Sequence, residues 1–108
     1  MKFDSILSFL KYCKTISNIN SSEYNIYVLN VIKQKPIQLN IKVALSQPNS
    51  KLSHIITIDI TPNNVNIYCP CEQDNCDHIS NTVAYLIKKY NLELDLLQMN
   101  LLENKNGK

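Results

Sequence analysis

The chain has 108 residues, 44% of them hydrophobic, with 11 basic and 9 acidic side chains and a net charge of +2. That length is one domain spanning 1–108, and that apolar share excludes a disordered tail. The charge lacks the footprint of a strongly basic nucleic-acid binder, and since every basic residue is lysine, no guanidinium fork is present for guanine or phosphate.

Residues 2–17 fit an amphipathic helix, with Phe3, Ile6, Leu7, Leu10, Cys13 and Ile16 as its apolar stripe and Lys2, Lys11 and Lys14 outside it. Asp4 and the spaced lysines exclude the apolar core of a signal peptide. No run reaches the length of a membrane span. The expected location is therefore intracellular, cytoplasmic and reducing, where clustered cysteines signify metal more often than disulfide. Cys13, on the apolar stripe, reads as a buried small hydrophobe.

"SNINSSE" breaks the helical pattern, and strand-like runs follow. "YNIYVLNVI" is rich in β-branched and aromatic residues. "PIQLNIKVAL" alternates Ile37, Leu39, Ile41, Val43 and Leu45 against Gln38, Asn40 and Lys42. "HIITIDI" sets Ile56, Ile58 and Ile60 on one face. His54, at its start, reads as a polar strand end. A fourth run, "VNIYC", is separated from the third by "TPNN", short enough for a hairpin. No connection is long enough for a crossover helix, so the expected sheet is a four-stranded antiparallel meander. After it, Ile79, Val83, Leu86, Ile87 and Tyr90 form a second helical stripe. "NLELDLLQMNLLE" begins like a strand and ends like a helix. The fold class is α+β.

Three of the four cysteines and one of the two histidines fall in "CPCEQDNCDHI". Cys69, Cys71, Cys76 and His78 have the spacing C-x-C-x4-C-x-H. Cys69 and Cys71 end an extended run, and strand alternation sends both thiols to one side. Pro70 stiffens the segment, a four-residue loop reverses it, and Cys76 and His78 arrive where the helix begins. Three thiolates and an imidazole are a tetrahedral zinc set, and four protein ligands leave no position for a water nucleophile. One structural Zn2+ is expected, whose binding energy is folding energy. No glycine-rich loop and no Ser/His/Asp set point to an enzyme.

A strand ending in C-x-C, a loop, and C-x-H opening a helix resembles the SWIM zinc finger. The resemblance covers about 55–90, and the loop Glu72–Asn75 is shorter than is usual in that family. It implies a hairpin and helix folded around one zinc held by Cys69, Cys71, Cys76 and His78. It also implies a DNA-binding or protein-interaction module.

Charge bears on that choice. Three thiolates around Zn2+ carry −1, and Glu72, Asp74 and Asp77 bring the finger tip to about −4, which repels phosphate. Asp77 has a role available in capping the helix opening at His78. The candidate nucleic-acid surface is instead the outer face of that helix, where Asn81, Tyr85, Lys88 and Lys89 recur at helical spacing. Lys11 and Lys14 extend it if the two helices lie side by side. In the last segment, Leu94, Leu97 and Leu101 form one stripe and Leu92, Leu96 and Met99 another. One docks on the sheet and the other is left for a partner, so a homodimer through residues 92–102 is expected. The first functional expectation is a SWIM-like zinc module that binds DNA, or a DNA-processing protein, as a non-catalytic accessory. The alternative is a protein-interaction or scaffold domain, viral or from a mobile element, with purely structural zinc.

Overall fold

The structure is a computed structural model. It describes residues 1–19, 23–34, 38–71, 73 and 76–106, with the backbone alone for residues 34 and 102–106. Ile37 of the expected third-run stripe, and Glu72, Asp74 and Asn75 of the finger loop, lie outside the described residues. Among the described residues the chain is α+β: β1 Lys2–Phe3, α1 Ile6–Ile16, β2 Asn25–Gln34, β3 Gln38–Ser46, β4 His54–Thr61, β5 Asn64–Tyr68, α2 Asp77–Tyr90 and α3 Leu92–Asn106. The strands form one antiparallel sheet in the order β1-β5-β4-β3-β2.

The strand beyond the expected four comes from the segment read as the start of the first helix. Ser5 is extended (φ −158°, ψ 163°) and its Oγ accepts from the Ser8 N–H at 3.1 Å. That is an N-cap, so the helix begins only at Ile6. Upstream, Lys2 and Phe3 pair with Asn66 and Val65 of β5. The Met1 amine donates to the Ile67 carbonyl at 2.9 Å, and the Ile67 N–H donates to the Met1 carbonyl at 2.8 Å. The apolar stripe of α1 rotates accordingly. Ile6, Phe9, Leu10, Cys13 and Ile16 are buried, whereas Leu7 is 54% exposed. Phe9 packs its ring 5.1 Å from Phe3 and 6.2 Å from Tyr12, so one side chain joins the short edge strand to the helix.

The meander follows the alternation of the sequence. Leu39, Ile41, Val43 and Leu45 of β3, Ile56, Ile58 and Ile60 of β4, and Val65 and Ile67 of β5 are all buried on one face. Pro62 and Asn63 make the two-residue turn between Thr61 and Asn64, which sets Ile58 opposite Ile67 and Ile60 opposite Val65. The other face is polar in its middle, where the Asn40 amide donates to the Asp59 carboxylate.

The helices cover the apolar face. α1 packs on α2, α3, β1 and β5, and α2 packs on β3 and β4. α2 stops at Asn91, which is left-handed (φ 52°, ψ 43°) and donates its N–H to the Leu86 carbonyl. An asparagine tolerates that conformation, and it turns the chain directly into α3. The C-terminal segment is helix rather than strand. Leu92, Leu96 and Met99 point into the core, while Leu94, Leu97 and Leu101 stay exposed.

Phe9→Ala is expected to cost about 3–5 kcal/mol, because the cavity would open at the junction of β1 and α1; urea unfolding at neutral pH measures it. Cys13 provides a pH signature. Burial, assisted by the Glu93 carboxylate, pushes its thiol up from 9.0 to about 12. The unfolded thiol loses its proton near 9 while the folded one keeps it, so its contribution is complete below pH 9 and fades as pH rises toward 12. The stability difference between the native chain and Cys13→Ala should therefore shrink on raising the pH from 8 to about 10.

Candidate metal centre

The cluster is assembled by a strand end and a helix start. β5 alternates inward through Val65 and Ile67, and the next inward position is Cys69, which is buried, while Pro70 is exposed. Cys71, two residues on, is half-buried on the same side. Cys76 is the N-cap of α2 (φ −73°, ψ 164°), and its own side chain makes no capping hydrogen bond. Asp77 is the first residue of the helix rather than its cap. Its carboxylate still lies in the first turn, where the positive end of the helix dipole favours it. The turn is tied by Ser80 Oγ, which donates to the carbonyls of Cys76 and Asp77 at 3.4 and 3.3 Å, and by Asn81 Nδ2, which donates to the Asp77 carbonyl at 2.8 Å.

This arrangement brings together all four expected ligands. One donor atom from each of Cys69, Cys71, Cys76 and His78 lies within 4.8 Å of the others, close enough to hold a single metal ion. Cys69 Sγ is 3.6 Å from His78 Nδ1. All four cysteines are free thiols. The electrostatics of the bare site are divided. Burial pushes the Cys69 thiol up to about 12, whereas the Gln73 backbone N–H holds the Cys71 thiol below its usual range. Packed sulfurs of which one resists ionisation and one favours it are a poor arrangement on their own. A divalent cation stabilises all of them as thiolates.

His78 is presented in its ligand form. Burial lowers its pKa first, and the charge of His54 lowers it further, against the opposing pull of Asp77. The ring is thus kept neutral near pH 7. His54 stacks on it with centroids 4.2 Å apart and planes 21° off parallel, and Tyr24 meets it edge-on at 5.9 Å. His54 had read as a polar strand end. The missed signal is parity: positions 54, 56, 58 and 60 alternate to one face, so the residue that begins β4 shares the side of the three buried isoleucines.

The expected nucleic-acid face is not assembled as one surface. Asn81 is buried and spends its amide on Asp77. The reason is the depth of α2, whose residues 79–84 are all buried between the sheet and α1. Tyr85 is half-buried against Tyr90, with centroids 6.2 Å apart. Lys88 is exposed, yet its Nζ donates to the Ile19 carbonyl at 2.7 Å. Lys89 is exposed in the last turn.

No family model, curated protein or solved structure matches this chain. Among the described residues, no helix is long and apolar enough to cross a membrane.

His54 is expected to support a metal ion held at the cluster, through its stack on His78. His54→Ala should weaken metal binding about tenfold or more, as loss of groups supporting a ligand does. Competition against a chelator measures it, with His78→Ala as the stronger reference. Equal affinity of native and His54→Ala protein would show the stack to be incidental.

Proposed function

We propose that the chain is a zinc-stabilised, non-catalytic interaction module of SWIM-like ββα type, built from β4, β5 and α2. The observation that carries this reading is the convergence of three sulfurs and one imidazole nitrogen within 4.8 Å. Tetrahedral zinc, with bonds of about 2.3 Å to sulfur and about 2.0–2.1 Å to nitrogen, separates a sulfur and a nitrogen by about 3.6 Å. The Cys69 Sγ to His78 Nδ1 distance is 3.6 Å. A set of soft sulfurs with one imidazole selects zinc over harder ions. Four protein ligands complete the coordination shell, which suits a structural ion and leaves no open position for catalysis.

The kind of partner follows from the surfaces. Leu94, Leu97 and Leu101 give α3 an exposed apolar stripe at i, i+3 and i+7. A single exposed leucine needs no explanation, but three on one helix face mark a contact surface. This supports a protein partner, of the DNA-processing kind that the finger motif implies, received on α3. Direct nucleic-acid binding is the second reading. It is favoured by exposed Lys88 and Lys89 in the last turn of α2, and weakened by the burial of Asn81 and the engagement of Lys88 with Ile19.

Two measurements test these readings. Protein purified under reducing conditions should carry one zinc per chain, and a chelator should unfold it, since zinc contributes on the order of 10 kcal/mol to a fold whose net stability is about 5–15 kcal/mol. Cys76→Ser should lose both metal and the C-terminal fold; a folded metal-free chain would overturn the zinc reading. Lys88→Glu with Lys89→Glu should leave protein binding unchanged. If the pair instead abolishes a salt-sensitive DNA affinity, nucleic acid is the partner.

A further inference from the structure

We infer that the outer strand of the sheet, β2, pairs antiparallel with β2 of a second copy of this chain, about a two-fold axis perpendicular to the sheet. The inference stands apart from the zinc reading, and moves self-association from residues 92–102 to the opposite end of the sheet order from β1.

β2 is the last strand in the order β1-β5-β4-β3-β2, and it is ten residues long, so its outer edge presents a row of backbone donors and acceptors. Natural sheets protect such edges by keeping them short or by placing proline or charges along them. The opposite edge obeys this rule, with two residues in β1. β2 departs from it. Within six residues, Tyr27, Leu29, Val31 and Ile32 are 64%, 55%, 42% and 39% exposed. The strand contains no proline or glycine, and its one charged side chain is Lys33.

A second copy fits this edge because the strand is complementary to itself. The β2–β3 register shifts between Val28 and Asn30, and this changes the alternation along β2. Before the shift, Val28 lies opposite buried Val43 and Tyr27 opposite Ala44. After it, Val31 lies opposite buried Ile41 and Ile32 opposite Asn40. Val28 and Val31 therefore share the helix-covered face, and Tyr27 and Ile32 share the outer face. One antiparallel two-fold register sets Tyr27 against Ile32 and Val28 against Val31. Both cross-strand pairs are then apolar and on matching faces, the condition for a stabilising pair.

Charge selects the same orientation. Antiparallel pairing places the two Lys33 side chains at opposite ends of the interface, each toward the end where Glu23 of the other copy lies. Parallel pairing would set the two lysines side by side. The perpendicular axis also keeps both helical layers on one face of a continuous sheet. The cleft beside β2, lined by Val31, Lys33, Tyr90 and Leu92 among others, then lies beside Val28 of the other copy.

Sedimentation of the 108-residue chain at concentrations up to about 100 µM tests the inference, with circular dichroism and metal content as checks on each variant's fold. A dimer is expected, with its Kd raised about tenfold or more by Val31→Lys and unchanged by Leu97→Lys; tenfold corresponds to about 1.4 kcal/mol. Tyr27→Lys and Ile32→Glu should each weaken it in the same way. The double variant Tyr27→Lys with Ile32→Glu should recover dimerisation, because each new lysine faces a new glutamate of the other copy. A monomer throughout the range, a dimer sensitive to Leu97→Lys but not to Val31→Lys, or no recovery in the double variant would overturn the inference.

Discussion

The register of the β4–β5 hairpin decides where the side chains of the candidate metal centre stand. Ile58 faces Ile67 and Thr61 faces Asn64 across the two-residue turn. With that pairing, Val65, Ile67 and Cys69 fall on one face, the face the helices cover. A slip of one residue would reverse every side chain that follows and carry the ligands to the solvent side. Ile56, Ile58 and Ile60, fully buried on β4, oppose such a slip. Exposing any one of them costs about 1.5–3 kcal/mol. The position of the thiols is thus set by hydrophobic burial several residues away, before any metal is considered.

The second half of the cluster depends on how α2 begins. Its N-cap is Cys76, whose side chain makes no capping hydrogen bond. A helix start without a capping side chain leaves its first amides to other partners. Here the helix start itself carries two members of the cluster, Cys76 and His78. The same turn holds His78 between Tyr24 ahead of β2 and His54 at the start of β4. The ligand set therefore couples β5 to α2 directly, and through the histidine stack couples both to the far end of β4. That is more of the domain than the ten residues of the motif.

The strands of the meander and the grouping of the four candidate ligands were legible because both rest on period-two alternation and short spacing, which are local properties. Leu39, Ile41, Val43 and Leu45 bury as their alternation requires. The two stripes of α3 separate as their helical spacing requires, although the choice between strand and helix needed Asn91 to close α2 first. What was hidden is tertiary. Lys2 and Phe3 form a strand only because β5 offers them an edge, and the N-cap at Ser5 then displaces Leu7 from the stripe in favour of Phe9. Asn81 looks like an exposed polar residue until α2 is placed deep between the sheet and α1. His54 meets His78 across 24 positions of sequence; parity places His54 on the buried side, but its partner there is a tertiary fact.

Among the described residues, seven of the twelve exposed large apolar side chains fall on α3 and on β2, and these surfaces approach each other where Lys33 reaches Asp95 at 3.6 Å. Lys33 is largely exposed, and an ion pair of that kind contributes about 0–1 kcal/mol, so it does little to hold the corner. Around it, Val31, Tyr90 and Leu92 line one cleft, and Leu94 and Leu97 continue outward along the helix. A domain of this size normally commits most of its apolar residues to its own core, because net stability is small. On the zinc reading that pressure is relieved, since the metal stabilises the β5–α2 junction independently of apolar burial. Leucines on α3 and the aromatic and branched residues of β2 can then remain outside without unfolding the chain. The cluster and the exposed apolar surfaces are, in that view, two consequences of one physical arrangement: a fold stabilised by coordination leaves apolar side chains available for association.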